Sequence, residues 1–191
     1  MKKLQDFRAY CLEENYPIIG EDALNFIVGF LDEQSEVLEL GTCVGYSAIS
    51  MALRSGASIH TLERDFECHV LAKQYVKDFE VEDKVKCIYD DALVFEPHQQ
   101  YDVIFFDAAK AQNQVFFDRF FPYLKPNGTL FIDNMDFHGI VGKSDQVKNR
   151  NLRKMVKAIA SFEESICLNE QVEVSHYSLG DGLLVIKPKS R

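Results

Sequence analysis

Residues 37–51, VLELGTCVGYSAISM, carry an apolar run, a turn bracketed by Gly41 and Gly45, and a small-residue segment without a break. The run VLEL suits a buried strand, and YSAISMAL suits a helix lying on a sheet. Glycine permits the tight turn and close backbone approach between them. Such a strand-turn-helix leaves the first N–H groups of the helix facing the turn, a ligand shelf at the carboxyl end of a strand. The same punctuation also occurs in ordinary α/β turns that bind nothing.

Working outward, Glu39 lies inside the motif and Glu63 closes the next strand-like run, SIHTLE. A dinucleotide site calls for G-x-G-x-x-G, but Cys43 stands where the middle glycine would be and the spacing is G-x-x-x-G. Two carboxylates would repel a pyrophosphate. They suit a ligand with an amino group, a sulfonium and ribose hydroxyls, and S-adenosylmethionine fits that description.

From residue 36 the pattern alternates: strands at 36–40, 58–63, 84–89, 101–106 and 128–133, helices at 45–55, 66–79, 112–124 and 146–163. Alternation of this kind predicts a parallel sheet. Two final runs, 170–177 and 182–187, are joined by SLGDG, too short for a crossover, so they are expected to be antiparallel. Two leading helices, 3–15 and 21–32, precede the core and are separated by Pro17 and Gly20. The longest irregular stretch, Asp136 to Asp145, is a candidate lid.

The 191 residues, 47% hydrophobic, predict a single domain over 1–191, with 1–34 as leading helices and 35–191 as the α/β core. A net charge of −9 disfavours non-specific adhesion to nucleic acid or anionic membrane. Five cysteines with no C-x-x-C pair do not resemble a disulfide framework, which points to a reducing cytoplasm. Neither a signal peptide nor a membrane-spanning run is visible, so a soluble protein is expected.

Three oxygen ligands stand at strand ends: Asp107 after YDVIFF, then Asp133 and Asn134 after GTLFI. If those strands are neighbours, the three converge, and hard oxygen donors suit magnesium or another divalent cation. Each alone has an ordinary role as a helix cap or turn residue. Lys110, three residues past Asp107, can reach the same edge, where a nearby cation disfavours its ammonium form and makes it a candidate base. It reads equally as a solvated loop lysine. The five histidines show no zinc spacing, and His138 in the candidate lid is the one of interest.

VLELGTCVGYSAISMA, TLERD, YDDAL, YDVIFFDAAK, FIDN and LGDGLLVIK, in this order, resemble the metal-dependent O-methyltransferases related to the catechol and caffeoyl-CoA enzymes. The FHGIVGK loop and the basic helix after it are similar to the bacterial branch acting on 5-hydroxyuridine in tRNA. The resemblance implies a Rossmann-like class I α/β fold, its seven-stranded, mostly parallel sheet ending in an antiparallel strand, with helices on both faces. It implies Glu39, Gly41, Tyr46 and Ser47 around the methionine part of S-adenosylmethionine, Glu63 on the ribose, Asp91 and Ala92 beside the adenine, and Asp107 bordering the cofactor. It places Mg2+ or another divalent cation on Asp107, Asp133 and Asn134, next to Lys110, the candidate catalytic base. The chain starts about one helix later than is usual in that branch, where this helix helps cover the substrate or a homodimer face, and the segment between Val141 and Arg150 is short.

The chemistry expected is displacement of the sulfonium methyl by a substrate oxygen beside a second oxygen. A catechol presents that pair, and so does 5-hydroxyuridine. Lys143, Lys148, Arg150, Arg153, Lys154 and Lys157 gather six of the chain's 21 basic residues, a candidate phosphate-contacting surface or simply a solvated helix face. A nucleotide-dependent oxidoreductase or a silent binding domain are the readings from other classes. The G-x-x-x-G turn speaks against the first, and the oxygen ligands with Lys110 against the second.

Overall fold

The computed structural model describes residues 2–141, 145 and 147–189. Its seven strands follow one mixed sheet in the order β3-β2-β1-β4-β5-β7-β6, six strands parallel and β7 antiparallel. The chain divides into two compact units, Met1–Glu96 and Pro97–Arg191.

In the first unit, α1 (Lys2–Glu13) and α2 (Glu21–Val28) precede β1 (Glu36–Leu40), α3 (Tyr46–Ser55), β2 (Ser58–Glu63), α4 (Phe66–Asp78) and β3 (Val85–Tyr89). The second leading helix is shorter than its apolar spacing predicts. After Val28 the chain tightens into i−3 hydrogen bonds, Phe30 N–H to Ile27 O at 2.9 Å and Leu31 N–H to Val28 O at 3.1 Å. β1, β2 and β3 pair in parallel, Leu40 opposite Leu62 and Glu63 opposite Tyr89, so the carboxyl ends of β1 and β2 lie in register. Val37, Leu38, Leu40, Ile49 and Met51 are fully buried, which is why this strand and helix read as apolar runs. α4 begins at Asp65, whose side chain accepts from Cys68 N–H at 2.9 Å, an N-cap that fixes where β2 gives way to helix.

The second unit contains β4 (Tyr101–Phe106), α5 (Asn113–Phe120), β5 (Leu124–Ile132), α6 (Arg150–Cys167), β6 (Val172–Tyr177) and β7 (Leu183–Pro188). The helix expected over 112–124 is cut to α5 by flanking 3-10 turns, 110–112 and 121–123. Pro122, which has no N–H to donate, lies in the second. β5 starts earlier than expected. Its pairing with β4 shifts register between Tyr101↔Leu124 and Val103↔Thr129, and the irregular stretch is pinned by Lys125 Nζ at 2.7 Å from Asp102 Oδ2. A Cβ on Gly128 would meet Asp102 O at 2.9 Å, so only glycine lets the strands close again. α6 starts at 150 rather than 146 because Asn149 caps it, its Oδ1 accepting from Asn151 N–H at 2.9 Å and Leu152 N–H at 3.1 Å. β7 runs antiparallel to β6, as the short SLGDG connection predicts, and also to β5. Phe106, Phe116 and Phe120 form an edge-on aromatic core with centroids 5.8 and 6.2 Å apart from Phe106. No helix among the described residues is long and apolar enough to cross a membrane.

Candidate active site

In the first unit the turn after β1 is built from backbone conformations that side chains rarely adopt: Gly41 at φ 99°, Cys43 at φ 48° and Gly45 at φ 87°. Gly41 and Thr42 N–H groups both donate to Leu62 O, at 3.0 and 3.1 Å, tying the turn to β2. Gly45 is the N-cap of α3 and offers no side-chain cap, which leaves the first-turn N–H groups of Tyr46 and Ser47 to a ligand. Glu39 is fully buried, and its Oε2 accepts from Thr61 Oγ1 at 2.5 Å. Thr61 has one hydroxyl hydrogen and gives it to that carboxylate, so in the 2.6 Å contact between the two threonine hydroxyls Thr42 is the donor. This buried chain fixes the floor of the turn.

Glu63, half-exposed at the end of β2, accepts from Cys43 N–H at Oε2 and from Asp65 N–H at Oε1, both at 2.8 Å. Its carboxylate is therefore held in one orientation beside the turn. Asp91 Oδ1 accepts from Leu93 N–H at 2.9 Å, Asp91 Oδ2 lies 3.7 Å from Arg64 Nη1, and Ala92 is buried next to it. Tyr46 is a surprise of direction: its ring turns toward α1, 6.1 Å from Phe7 and with Arg8 at 5.6 Å. Only its backbone belongs to the turn. A glycine-built turn, open helix N–H groups and an anchored carboxylate fit a sulfonium nucleoside such as S-adenosylmethionine.

In the second unit the parallel pairing puts Phe106 opposite Ile132, and Asp133 N–H continues the ladder to Phe106 O at 3.1 Å. Asp107 and Asp133 thus leave adjacent strand ends together. Asp133 is only 2% exposed, and its Oδ1 has no hydrogen-bond partner. Burial, and after it the charge of Asp107, pushes the Asp133 carboxyl up to about 7 against the opposing pull of the Lys110 ammonium. Lys110 Nζ is 2.8 Å from Asp107 Oδ1, with both side chains mostly buried. Asn134 follows at φ 60°, a left-handed conformation that Asn tolerates better than most residues. A buried carboxylate oxygen without a donor costs about 1 to 3 kcal/mol or more. A divalent cation on Asp107, Asp133 and Asn134 would relieve that cost, so the oxygen donor set fits magnesium. Among the described residues no trio of His, Cys, Asp or Glu could hold a metal, and the set here differs in using one amide.

Of the basic residues, Lys148, Arg150, Lys154 and Lys157 are exposed along α6 and just before it. Arg153 is partly buried, and its Nε donates to Val147 O at 2.8 Å. Lys143 and the 142–144 part of the candidate lid lie outside the described residues. Asp181 and Gly182 were legible as a hairpin turn and as part of the LGDGLLVIK motif, with no site role assigned to either. Both touch the segment following Asn134, and the sole hint in the sequence was their small, polar G-D-G character.

A sequence model of the O-methyltransferases matches residues 9–189. The chain belongs to the O-methyltransferase family. It is an S-adenosylmethionine-dependent O-methyltransferase. The methyltransferase is similar to the structure of a candidate caffeoyl-CoA O-methyltransferase from Staphylococcus aureus, with 30% identity, TM-score 0.92, and 97% of this chain and 92% of that one covered. It shares its fold with the Bacillus cereus O-methyltransferase solved with SAH, at 22% identity, TM-score 0.83, and coverage of 99% and 91%. Among sequences, the caffeoyl-CoA O-methyltransferase of Populus kitakamiensis is 26% identical over 160 residues, 78% of this chain and 68% of that protein.

Proposed function

We propose that this methyltransferase moves the methyl group of S-adenosylmethionine to a hydroxyl that lies beside a second oxygen, with a divalent cation held by Asp107, Asp133 and Asn134. The observation that carries the reading is the Asp133 oxygen, buried without a partner next to the Asp107–Lys110 pair. The cation, when bound, supplies charge that favours the ionised hydroxyl and fixes two neighbouring substrate oxygens. Glu63 binds the ribose hydroxyls, its orientation already set by Cys43 and Asp65 N–H. The turn from Glu39 to Ser47 holds the methionine part, and Asp91 with Ala92 flanks the adenine. Lys110 Nζ receives the hydroxyl proton. It accepts that proton on the lone pair of the neutral amine. Reading the two units as one catalytic domain rests on the family model, which spans residues of both.

For substrate we favour 5-hydroxyuridine in tRNA. Support comes from four exposed cations at Lys148, Arg150, Lys154 and Lys157, for which no acidic side chain supplies a salt bridge among the described residues, in a chain of net charge −9. A small catechol-like substrate is the second reading, favoured by the relatives named for caffeoyl-CoA. A cytoplasmic enzyme accords with five free thiols, and a homodimer with the family resemblance. The test is transfer of labelled methyl to tRNA carrying 5-hydroxyuridine and, separately, to a small catechol, across a salt series. Labelling of the tRNA that falls steeply with salt supports the RNA reading, since bound phosphates release counterions. Labelling of catechol alone selects the small-molecule reading, and labelling of neither overturns the proposal.

A further inference from the structure

We infer that Asp181 and Gly182, in the turn between β6 and β7, are positioning residues that hold the Asn134 end of the metal site. The inference rests on the cation assignment to Asp107, Asp133 and Asn134 proposed above.

The segment leaving β5 has an unfavourable local conformation. Asn134, Phe137 and His138 have φ values of 60°, 41° and 57°, and none of them is glycine. Such backbone persists only where the surroundings over-determine it. Here the surroundings are two residues nearly fifty positions later in the chain. Met135 N–H donates to Gly182 O at 2.9 Å, and Asp136 N–H donates to Asp181 O at 2.9 Å. His138 N–H donates to Asp181 Oδ1 at 2.6 Å, and His138 Nδ1 lies 3.2 Å from Asp181 Oδ2. Three N–H groups that follow Asn134 therefore end on Asp181 and Gly182.

The approach is possible only for glycine at 182. Gly182 sits at φ 87°, and a Cβ there would meet Asp136 N at 2.6 Å and Asp136 Cγ at 2.7 Å. The first of these is backbone and cannot step aside. The turn is itself rigidly placed, because Gly182 N–H closes it onto Leu179 O at 3.0 Å and β7 is laddered to β5 through Leu184 opposite Ile132. A second hold comes from His176, with Nε2 at 3.2 Å from Asp136 Oδ1 and Nδ1 at 2.6 Å from Glu163 Oε1. The hairpin thus sets the path of the chain immediately after Asp133, which is how a residue that touches no metal can govern the geometry of one that does. The Asp181 carboxylate is also within electrostatic reach of Asp133, so its charge and its hydrogen bonding must be separated by experiment.

Mn2+ binding to the purified enzyme, followed by calorimetry and by the spin signal of free Mn2+, separates them. Asp181→Ala is expected to weaken Mn2+ binding at least tenfold with SAH affinity unchanged. Asp181→Asn keeps an oxygen for His138 N–H without the charge and is expected to stay within about threefold of wild type, the scale of a surface charge effect. Asp181→Ser, too short to reach both His138 groups, takes the place of Ala if that variant does not fold and is expected to show the same tenfold loss. Wild-type Mn2+ affinity in the Ala or Ser variant overturns the inference, and so does an equal loss in Asn and Ala, because charge alone would then be responsible. Asp133→Ala measured alongside keeps the two claims apart: if it too binds Mn2+ like wild type, the cation assignment itself has failed.

Discussion

Replacing Asp133 by Asn should change how the metal-free enzyme's stability depends on pH. In the folded protein the Asp133 carboxyl is raised from 3.8 to about 7, first by burial and then by Asp107. A raised folded value means that the contribution to stability is fully present below the unfolded value near 3.8 and is lost as pH rises through 7. At about 1.4 kcal/mol per unit the whole change amounts to roughly 4 kcal/mol, and the part between pH 5 and pH 8 to about 2 to 3 kcal/mol. Urea unfolding in excess chelator, followed by circular dichroism at the two pH values, measures it. Wild type should lose more stability than Asp133→Asn between pH 5 and 8, on the order of that amount, because only wild type carries the buried carboxyl that must ionise. Adding Mg2+ at pH 8 should return the loss in wild type and do nothing for the variant. Parallel pH profiles, or equal stabilisation of both by Mg2+, would refute the account of Asp133 as a buried carboxylate waiting for a cation.

Glu63→Ala should weaken SAH binding in calorimetry by about 1 to 3 kcal/mol, because charge-assisted bonds to ribose are lost; unchanged affinity would remove Glu63 from the cofactor site. Lys110→Ala should lower turnover about a hundredfold to ten-thousandfold with SAH affinity nearly constant, and a near-normal rate at neutral pH would leave Lys110 as no more than the ion-pair partner of Asp107. Replacing Arg150, Lys154 and Lys157 together by Ala should cripple methylation of hydroxylated tRNA and flatten its salt dependence while sparing a catechol; equal losses on both would point to a folding defect instead. Arg153 is left out of that set because its contact with Val147 O makes its removal a structural change.

Much of the fold was legible because its signals are local. The VLEL run, the glycine-bracketed turn and the alternation of apolar strands with helices each follow from a few neighbouring residues, and the sheet realises them. The meeting of Asp107 and Asp133 at adjacent strand ends was legible for the same reason, since each ends an apolar strand. Boundaries failed where a single polar residue decided them, as when Asn149 capped α6 four residues late or Pro122 broke α5 into turns. Side-chain direction was not legible at Tyr46, whose ring is drawn to Phe7 and Arg8 of α1 by contacts with no sequence-local signature. The hold of Asp181 and Gly182 on the Asn134 segment was hidden too, because its backbone and carboxylate hydrogen bonds join positions more than forty residues apart in the chain.

If a divalent cation held by Asp107, Asp133 and Asn134 supplies the charge that methyl transfer needs, a chelator titration of labelled methyl transfer shows it most directly. With S-adenosylmethionine and a catechol or hydroxylated tRNA present, transfer should stop when divalent ions are stripped and return with Mg2+. The Asp133→Ala enzyme, still binding SAH, should stay silent at any Mg2+ concentration. Full turnover in excess chelator would contradict the claim.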